Sequence, residues 1–499
     1  MNESTTILHS EETKKRTVKD YEHHFRRNRK LSYTMLVMLI LSHFQCTIKS
    51  ALKHFKPLTD AKVKLCQSAF SQARAKINDS VFRELFEMTA SIGYESRRVF
   101  NKAGGKLFHG RLLTAIDGSQ IKLPFSTELK EHFGTSGKGE KAPTARCSIQ
   151  YDVLNDIILD ARLDPFSHGE RRQALEMLEK KHNKFGIKEL IIFDRGYETE
   201  ENIESMIKAH QPFLVCGKTG QKPVYGYING IEYDETGIPA NMDYSSKYKL
   251  YGAQFEEERA VQSPSGIQVS ARLKINVFMN LQERMAAIQA LNEKIRNEET
   301  VISELDPQLA RNNIKTVRKQ LVYHTVKLAK SGELIIGKKD DLIRKAKAAA
   351  GFFSSISYLV EGGAFKQYEF YVLRDEQEKY FEEMKCQLGF NMQRNWSEDG
   401  KTGRLFILFI ALIIRNEIRR VWNEKLRDKY PSSLAVIDEM RPIRYVEYNN
   451  NETHITGFTT PQVEICRAFN IPIPSQSLSA NQKKAIDRQL AGRKRGRPK

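Results

Sequence analysis

The 499-residue chain carries 80 Lys and Arg against 61 Asp and Glu, a formal charge of +19, with 40% hydrophobic residues. Such a length can bury roughly two to four domain cores, and the basic excess favours nucleic acid over a membrane as the polyanionic partner. The six cysteines show no C-x-x-C spacing, which argues against structural zinc and fits a reducing compartment.

The N-terminal part divides into a polar leader and a helical region. We expect residues 1–24 to be flexible. The overlapping segment Lys14–Lys30 has eight basic and two acidic side chains, and it is either a phosphate-binding arm or a solvated tail. Residues 25–105 show helical apolar periodicity and predict a small DNA-binding domain. A short helix over residues 68–74 would present Ser71, Gln72 and Arg74 to phosphates or base edges.

A change of periodicity at residue 111 marks the start of an α/β core, assigned to residues 106–218. Leu112–Asp117 reads as a buried strand ending on a carboxylate, a hairpin follows, and another buried strand ends on Asp194. The predicted order is strand, strand, strand, helix, strand, helix, strand. In this ribonuclease-H-like order the first and fourth strands are neighbours, so Asp117 and Asp194 should emerge side by side. Two such carboxylates favour Mg²⁺; unrelated turn aspartates are the alternative.

The helix between the third and fourth predicted strands opens with Ser167-x-x-Glu170, which matches a capping box. We therefore interpret Glu170 as a helix cap rather than as a catalytic residue. The helix is expected to run to about Lys184.

Residues 219–350 interrupt the α/β pattern. Their first part, residues 221–280, is rich in Tyr, Gly and Val and predicts strands. A helix should follow from Leu281 to about Glu304, and a second helix over residues 312–330 could fold back on it. We expect an inserted subdomain outside the catalytic sheet, with a dimerising coiled coil as the alternative.

The core is expected to resume over residues 351–430. At about 100° per residue, one helical stripe about 60° wide collects four polar side chains next to an apolar stripe. The four are Tyr371, Arg374, Glu378 and Lys385. One flank can pack on the core while the other presents a carboxylate; a solvated charged face is the alternative. The apolar run Leu405–Ile414 is too short to span a bilayer and predicts a buried helix.

The C-terminal part consists of residues 431–482 and a basic tail, residues 483–499, with eight basic residues and one acidic residue. Its closing Arg495-Gly-Arg-Pro498 resembles an AT-hook, in which Arg493, Arg495 and Arg497 would enter a narrow A·T minor groove. A chance match in a short basic tail is the alternative.

Three motifs in chain order resemble the bacterial insertion-sequence DDE transposases of the Y-R-E-K signature class. They are Ile116-Asp117-Gly-Ser, Phe193-Asp194-Arg-Gly-Tyr197 and Tyr371-x₂-Arg374-x₃-Glu378-x₆-Lys385. The resemblance extends from about Phe25 to about Trp422. It implies an α/β fold with a ribonuclease-H-like catalytic core, a long insertion before the last catalytic helix and an N-terminal helical domain.

The resemblance further implies that Asp117, Asp194 and Glu378 are the catalytic, metal-binding triad for two Mg²⁺ ions, for which Mn²⁺ can substitute. Glu382, one helical turn away, is the second candidate for the third ligand. Tyr371, Arg374 and Lys385 would lie near the DNA strand, and we expect Arg195 to contact DNA as well.

The leading hypothesis is a transposase that cuts at the terminal inverted repeats of its own insertion sequence and joins the ends to target DNA. Its partner would be double-stranded DNA, bound by a homodimer in the bacterial cytoplasm at the nucleoid, without a membrane. A structure-specific nuclease and a non-catalytic DNA-binding protein, either a decayed transposase or a regulator, are the rivals. Intact acidic residues at all three positions speak against decay.

Overall fold

The structure is a computed structural model of the chain. It describes residues 8–27, 31–42, 48–54, 65–96, 106–136, 142–179, 188–220, 222–262, 268–304, 314–329, 333–373, 398–443, 445–447, 453–455 and 457–473.

The described residues form helices and strands that alternate after an all-helical start. The helices are α1 Glu11–Thr17, α2 Tyr33–Ser42, α3 Ile48–His54, α4 Gln67–Arg74, α5 Ser80–Ser96, α6 Thr127–Phe133, α7 Glu170–Glu179, α8 Glu200–Lys208, α9 Val224–Asn229, α10 Leu281–Ser303, α11 Ile314–Gln320, α12 Asp340–Ala349, α13 Ala364–Leu373, α14 Glu398–Val421, α15 Ser433–Met440 and α16 Thr460–Ala468. The strands are β1 Leu112–Lys122, β2 Thr144–Asp152, β3 Ile157–Pro165, β4 Glu189–Phe193, β5 Phe213–Gly217, β6 Asp243–Ser245, β7 Leu250–Gln262, β8 Gln268–Met279, β9 His324–Leu328, β10 Leu334–Lys338, β11 Phe352–Tyr358, β12 Tyr445–Glu447 and β13 Thr453–Ile455.

A nine-stranded mixed sheet organises the described part of the chain, in the order β3-β2-β1-β4-β5-β11-β8-β7-β6. Strands β1, β4 and β5 run parallel, β2 is antiparallel to β1, and β3 is antiparallel to β2. The predicted adjacency of the first and fourth strands is therefore confirmed. The mixed α/β sheet fits the expected ribonuclease-H-like arrangement.

The period of two in the strands builds a core on each face of the sheet. On β1, Leu113 and Ala115 pack with α5 and α14, whereas Ile116 faces the other way and packs with α8. Helix α14 places five side chains with no solvent exposure in the first core: Leu405, Phe406, Leu408, Phe409 and Leu412. The predicted buried helix is thus confirmed. Among the described residues, no helix is both long and apolar enough to cross a membrane.

Strand β1 is longer than predicted. It continues past Asp117 to Lys122, and its second half pairs with β2 as far as Lys122 opposite Thr144. Pairing with β4 stops earlier, at Ile116 opposite Phe193. Asp117 is therefore at the end of the β1–β4 pairing and not at the end of its own strand.

The prediction that residues 221–280 leave the catalytic sheet was wrong. Strand β11 pairs with β5 on one side and with β8 on the other, so that Ile356 lies between Val215 and Ile275. Strands β7 and β6 then extend the same sheet. Without β8, the buried edge of β11 would leave backbone N–H and C=O groups unpaired, which is costly away from water.

Residues 281–349 lie outside the nine-stranded sheet. Helix α10 forms as predicted, and its Leu291 and Ile295 pack on Ile343 of α12 in the same chain. The predicted second helix over residues 312–330 was wrong in its later part, because β9 and β10 form a separate hairpin there. The Glu298 carboxylate stabilises the turn between α11 and β9. It accepts hydrogen bonds from the N–H groups of residues 322 and 323 and pairs with His324 Nδ1 at 2.8 Å.

The expected flexibility of residues 1–24 was wrong for residues 8–24. Ser10 caps helix α1 by accepting a hydrogen bond from the Thr13 N–H group, and Leu8 and Val18 are buried in the first core. The Lys19 N–H group donates to the Lys76 carbonyl at 2.9 Å. The polar residues of this segment suggested flexibility, but its two apolar side chains, Leu8 and Val18, hold it on the helical region.

A buried hydrogen bond joins the helical region to the sheet. Tyr94 on α5 donates to Asp152 Oδ2 at 2.8 Å, and Asn155 donates to the same carboxylate. Burial raises the pKa of Asp152 from 3.8 to about 6. Because the folded state holds the proton of Asp152 more tightly than the unfolded state does, protonation of Asp152 stabilises the fold. This contribution to the free energy of unfolding is fully present below about pH 4 and is lost as the pH rises through 6.

Replacing Tyr94→Phe should lower the free energy of unfolding by roughly 1.5–3 kcal/mol at about pH 8, where Asp152 is ionised, because a charged acceptor loses its donor. At about pH 5 the loss should be smaller, since Asp152 is then mostly protonated. Urea denaturation at both pH values measures this. Tyr244→Phe, at an exposed position, is the control. An equal loss at both pH values would contradict the coupling to Asp152.

Candidate active site

The two aspartates meet where strand β4 ends. Because Ile116 lies opposite Phe193 in the parallel pair, the next residues, Asp117 and Asp194, follow on strands about 4.8 Å apart. Both side chains are partly exposed at this sheet edge. The predicted juxtaposition is confirmed, while the catalytic roles remain predictions.

Backbone groups hold this part of the site. Asp117 Oδ1 accepts a hydrogen bond of 2.7 Å from the Gly118 N–H group. After Asp194 the chain turns through a 3₁₀ helix, Arg195–Tyr197, and the Asp194 carbonyl accepts from the Tyr197 N–H group at 3.0 Å. The turn buries the Tyr197 side chain within electrostatic reach of the two aspartates.

The predicted capping box at Ser167 was wrong. Ser167 lies in a 3₁₀ turn, and α7 begins only at Glu170, with the Gly169 carbonyl accepting from the Gln173 N–H group at 3.2 Å. Gly169 has a φ of 77°, which favours glycine and ends the 3₁₀ turn. Glu170 is thus the first helical residue, and Ser167 is not the N-cap of this helix.

Glu170 instead lies against strand β1, one residue beyond Asp117. A Cβ atom on Gly118 would lie 2.7 Å from the Glu170 Cβ atom and 2.8 Å from its Oε2 atom, so only glycine fits there. Arg146 on β2 pairs with Glu170 Oε2 at 3.4 Å. The sequence carried no direct signal for this contact, because it depends on a missing side chain on a strand that is distant in the chain.

Tyr197 is a second residue that sequence reasoning did not assign to the site. Its side chain is almost fully buried, and its ring lies 5.3 Å from that of Phe193. Burial raises the pKa of Tyr197 well above its ordinary value, and the charges of Asp117, Glu170 and Asp194 add to the rise. The phenol oxygen therefore lies within electrostatic reach of all three carboxylates and remains protonated.

A basic groove adjoins Glu170, one of these three carboxylates. Its volume is about 550 Å³, and it is lined in part by Arg146, Arg171 and Arg172 together with Glu170. Arg171 donates from Nε to the Gly196 carbonyl at 2.8 Å, which ties the start of α7 to the turn after Asp194. The groove thus brings positive charge to the edge of an acidic centre.

Helix α13 carries Tyr371, the first residue of the predicted polar stripe. A buried polar network anchors this helix, since Gln367 Oε1 accepts from Asn276 Nδ2 at 2.7 Å and from Ser357 Oγ. Phe370 is buried, with its ring 4.2 Å from that of Phe108, as expected for the apolar stripe. The Tyr371 ring lies 5.6 Å from that of Phe353.

Several predicted site residues lie outside the described part of the chain. These are Arg374, Glu378, the second candidate Glu382, and Lys385, followed by Arg493, Arg495 and Arg497 in the tail. Arg195 is exposed beside Asp194, as a DNA contact requires.

The Arg74 guanidinium makes contacts within the protein. Its Nη1 atom donates to the Ile77 carbonyl at 3.1 Å, and the group lies over the Phe82 ring at 5.6 Å. A Cβ atom on Gly403 would lie 3.3 Å from Arg74 Nη2. Arg74 thereby closes helix α4, and its contact with DNA stays a prediction. Ser71 and Gln72 on the same helix are exposed.

The donor set fits a hard divalent cation such as Mg²⁺. Asp117 and Asp194 supply carboxylate oxygens, the ligands that Mg²⁺ prefers. The Tyr197 hydroxyl is buried near these carboxylates and makes no normal hydrogen bond to any described residue. The nearby Ser148 hydroxyl lowers the pKa of Tyr197 and so offsets a small part of its rise. Within the described ranges, no three His, Cys, Asp or Glu side chains form a complete metal-binding group.

The comparisons with known proteins agree with this arrangement. The profile of the family described as "Transposase DDE domain" matches residues 108–414. The protein named "Putative transposase InsZ" of Escherichia coli (strain K12) is 32% identical over 118 residues, 23% of this chain and 38% of that protein. The chain thus matches well under half of the length of this relative. Since the profile covers more than half of the chain and includes both aspartates, the chain belongs to the transposase DDE domain family.

Proposed function

We propose that this protein is an insertion-sequence transposase of the Y-R-E-K class, which cleaves DNA at the terminal inverted repeats of its own element and joins the ends to target DNA. The observation that carries the proposal is the side-by-side position of Asp117 and Asp194 at the end of the β1–β4 pairing, inside the matched domain.

In this proposal Asp117 and Asp194 hold Mg²⁺, with Glu378 as the third acidic ligand and Mn²⁺ as a substitute ion. Two bound ions would supply Lewis-acid activation of the nucleophile and stabilisation of the leaving oxygen. The chain's own task is to fix the carboxylates, which the register of β1 and β4 does through the backbone. The same fixed acids serve water in cleavage and a DNA 3′-hydroxyl in joining, so no covalent protein intermediate is needed.

The basic groove supports a path for the DNA strand. Arg171 and Arg172 line the groove beside Glu170, and Arg172 keeps 71% of its side chain exposed. Arg195 is exposed and directly follows Asp194 in the chain. Arginine binds phosphate oxygens through paired N–H donors and thereby positions a strand without reading its sequence. Double-stranded DNA is the proposed partner, bound by a homodimer.

The variants Asp117→Asn and Asp194→Asn should each abolish cleavage and joining of end DNA, because the amide keeps the size but loses the charge that holds the cation. Binding to the element ends should persist within about twofold, since phosphate contacts come mainly from other surfaces. Gel assays of cleavage, joining and binding measure this. Asp243→Asn, an exposed aspartate on β6, is the control and should remain active. Full activity of either site variant would refute the proposal; wild-type cleavage without joining would favour the nuclease.

The third acid can be assigned by the pair Glu378→Gln and Glu382→Gln. We expect Glu378→Gln to lose cleavage as fully as the aspartate variants, while Glu382→Gln retains most of it. The same cleavage assay in Mg²⁺ and Mn²⁺ decides between them. The reverse pattern would move the third ligand by one helical turn.

Deleting Arg493–Lys499 should weaken DNA binding if the tail contacts phosphates. The plot of log affinity against log salt should then become shallower by roughly 0.9 for each phosphate that the shortened chain no longer neutralises. Fluorescence anisotropy across a salt series measures the slope. A deletion of equal length that keeps the three arginines, removing residues 485–491, is the control. An unchanged slope would show that the tail does not track DNA.

A further inference from the structure

The acidic centre contains one carboxylate more than the proposed triad. Glu170 reaches it from α7, a helix that packs on β1 and β2, and its Oε2 atom occupies the space that a side chain at position 118 would fill. Its Oε1 atom lies on the other side, 3.7 Å from where a Cβ atom on Gly196 would be. The Glu170 carboxylate thus lies between the segments that carry Asp117 and Asp194.

The ion pair with Arg146 does not by itself account for the position of the Glu170 carboxylate. The Arg146 Nη1 atom is 3.4 Å from Glu170 Oε2, longer than the roughly 2.7–2.9 Å that is typical of a strong charge-assisted hydrogen bond. The Arg146 guanidinium also lies over the Phe166 ring at 4.6 Å, and its buried Nε atom has no hydrogen-bond partner among the described residues. Arg146 therefore orients the carboxylate but leaves lone pairs of Glu170 available to another partner.

A second, independent observation points to a ligand at this place. The Tyr197 side chain is only 2% exposed, and its hydroxyl is without a normal hydrogen bond in the described part of the chain. An unpaired hydroxyl buried in a folded protein is rare and calls for a partner. The Ser148 hydroxyl is nearby but donates to Gln173 Oε1 at 2.6 Å, and the carboxylates of Asp117, Glu170 and Asp194 act on the Tyr197 hydroxyl electrostatically. A partner held by these carboxylates would therefore satisfy the Tyr197 hydroxyl.

We propose that Glu170 is a fourth acidic residue of the metal site, and that Glu170 and the Tyr197 hydroxyl together bind a water of the cation's hydration shell. This inference rests on the proposed function, because it takes Asp117 and Asp194 as cation ligands. Mg²⁺ keeps several of its waters when proteins bind it, and each water needs acceptors and donors around it. Glu170 accepts from such a water and Tyr197 donates to it, which satisfies the orphaned hydroxyl.

The test is Mn²⁺ binding to the full-length protein without DNA, measured by the electron paramagnetic resonance signal of free Mn²⁺. Glu170→Gln should weaken the affinity roughly 10- to 100-fold, as is typical when an outer partner of a metal site is removed. Tyr197→Phe should weaken it by a smaller factor without lowering the melting temperature, since the lost hydroxyl makes no normal hydrogen bond to a described residue. Glu200→Gln, an exposed acid of helix α8, is the matched control and should bind as the wild type does.

Unchanged Mn²⁺ affinity in Glu170→Gln would overturn the inference. If that variant does not fold, Tyr197→Phe decides, and wild-type affinity in it is the overturning result. Asp117→Asn and Asp194→Asn are titrated alongside. Loss of binding in these two with normal binding in Glu170→Gln rejects only the fourth acid; normal binding in all of them, or no binding by the wild type, rejects the proposed metal function as well.

Discussion

The parallel pairing of β1 with β4 is the constraint on which the rest of the site depends. It fixes Ile116 opposite Phe193 and thereby sets Asp117 and Asp194 level with each other, although 76 residues separate them. Hydrogen bonds along both strands resist sliding, and a slip of one residue would turn each side chain to the opposite face of the sheet. The position of the two carboxylates is therefore as well determined as the sheet itself.

Glycine and small-residue packing then shape the space around this pair. Gly118 leaves room for Glu170, and the turn after Asp194 buries Tyr197 beneath the acids. Any side chain at position 118 would displace Glu170 and with it the start of α7. Close packing of this kind couples the acidic centre to the basic groove, because α7 carries Glu170 and two groove arginines on consecutive residues.

Strands β11, β8, β7 and β6 extend the sheet and support helix α13. Asn276 on β8 and Ser357 on β11 both donate to Gln367, and this buried network fixes the helix that precedes the proposed third acidic residue, Glu378, in the sequence. Half-satisfied networks in a core are costly, whereas paired ones specify a single arrangement. The strands expected from the sequence in a separate subdomain thus support the catalytic part of the chain.

The sequence alone determined the order of strands and helices from Leu112 to Gly217 except for helix α6, the buried helix around Phe406, and the convergence of Asp117 with Asp194, because these follow from periodicity and from rules of strand connection. The sequence predicted Glu170 to be part of a capping box, because the local pattern matches one. The contact of Glu170 with Gly118 leaves no such local pattern. Only the tertiary structure placed β8 on the edge of β11 and Tyr197 among the carboxylates. Both positions depend on contacts between residues that are far apart in the chain. A local sequence pattern does not contain information about such contacts.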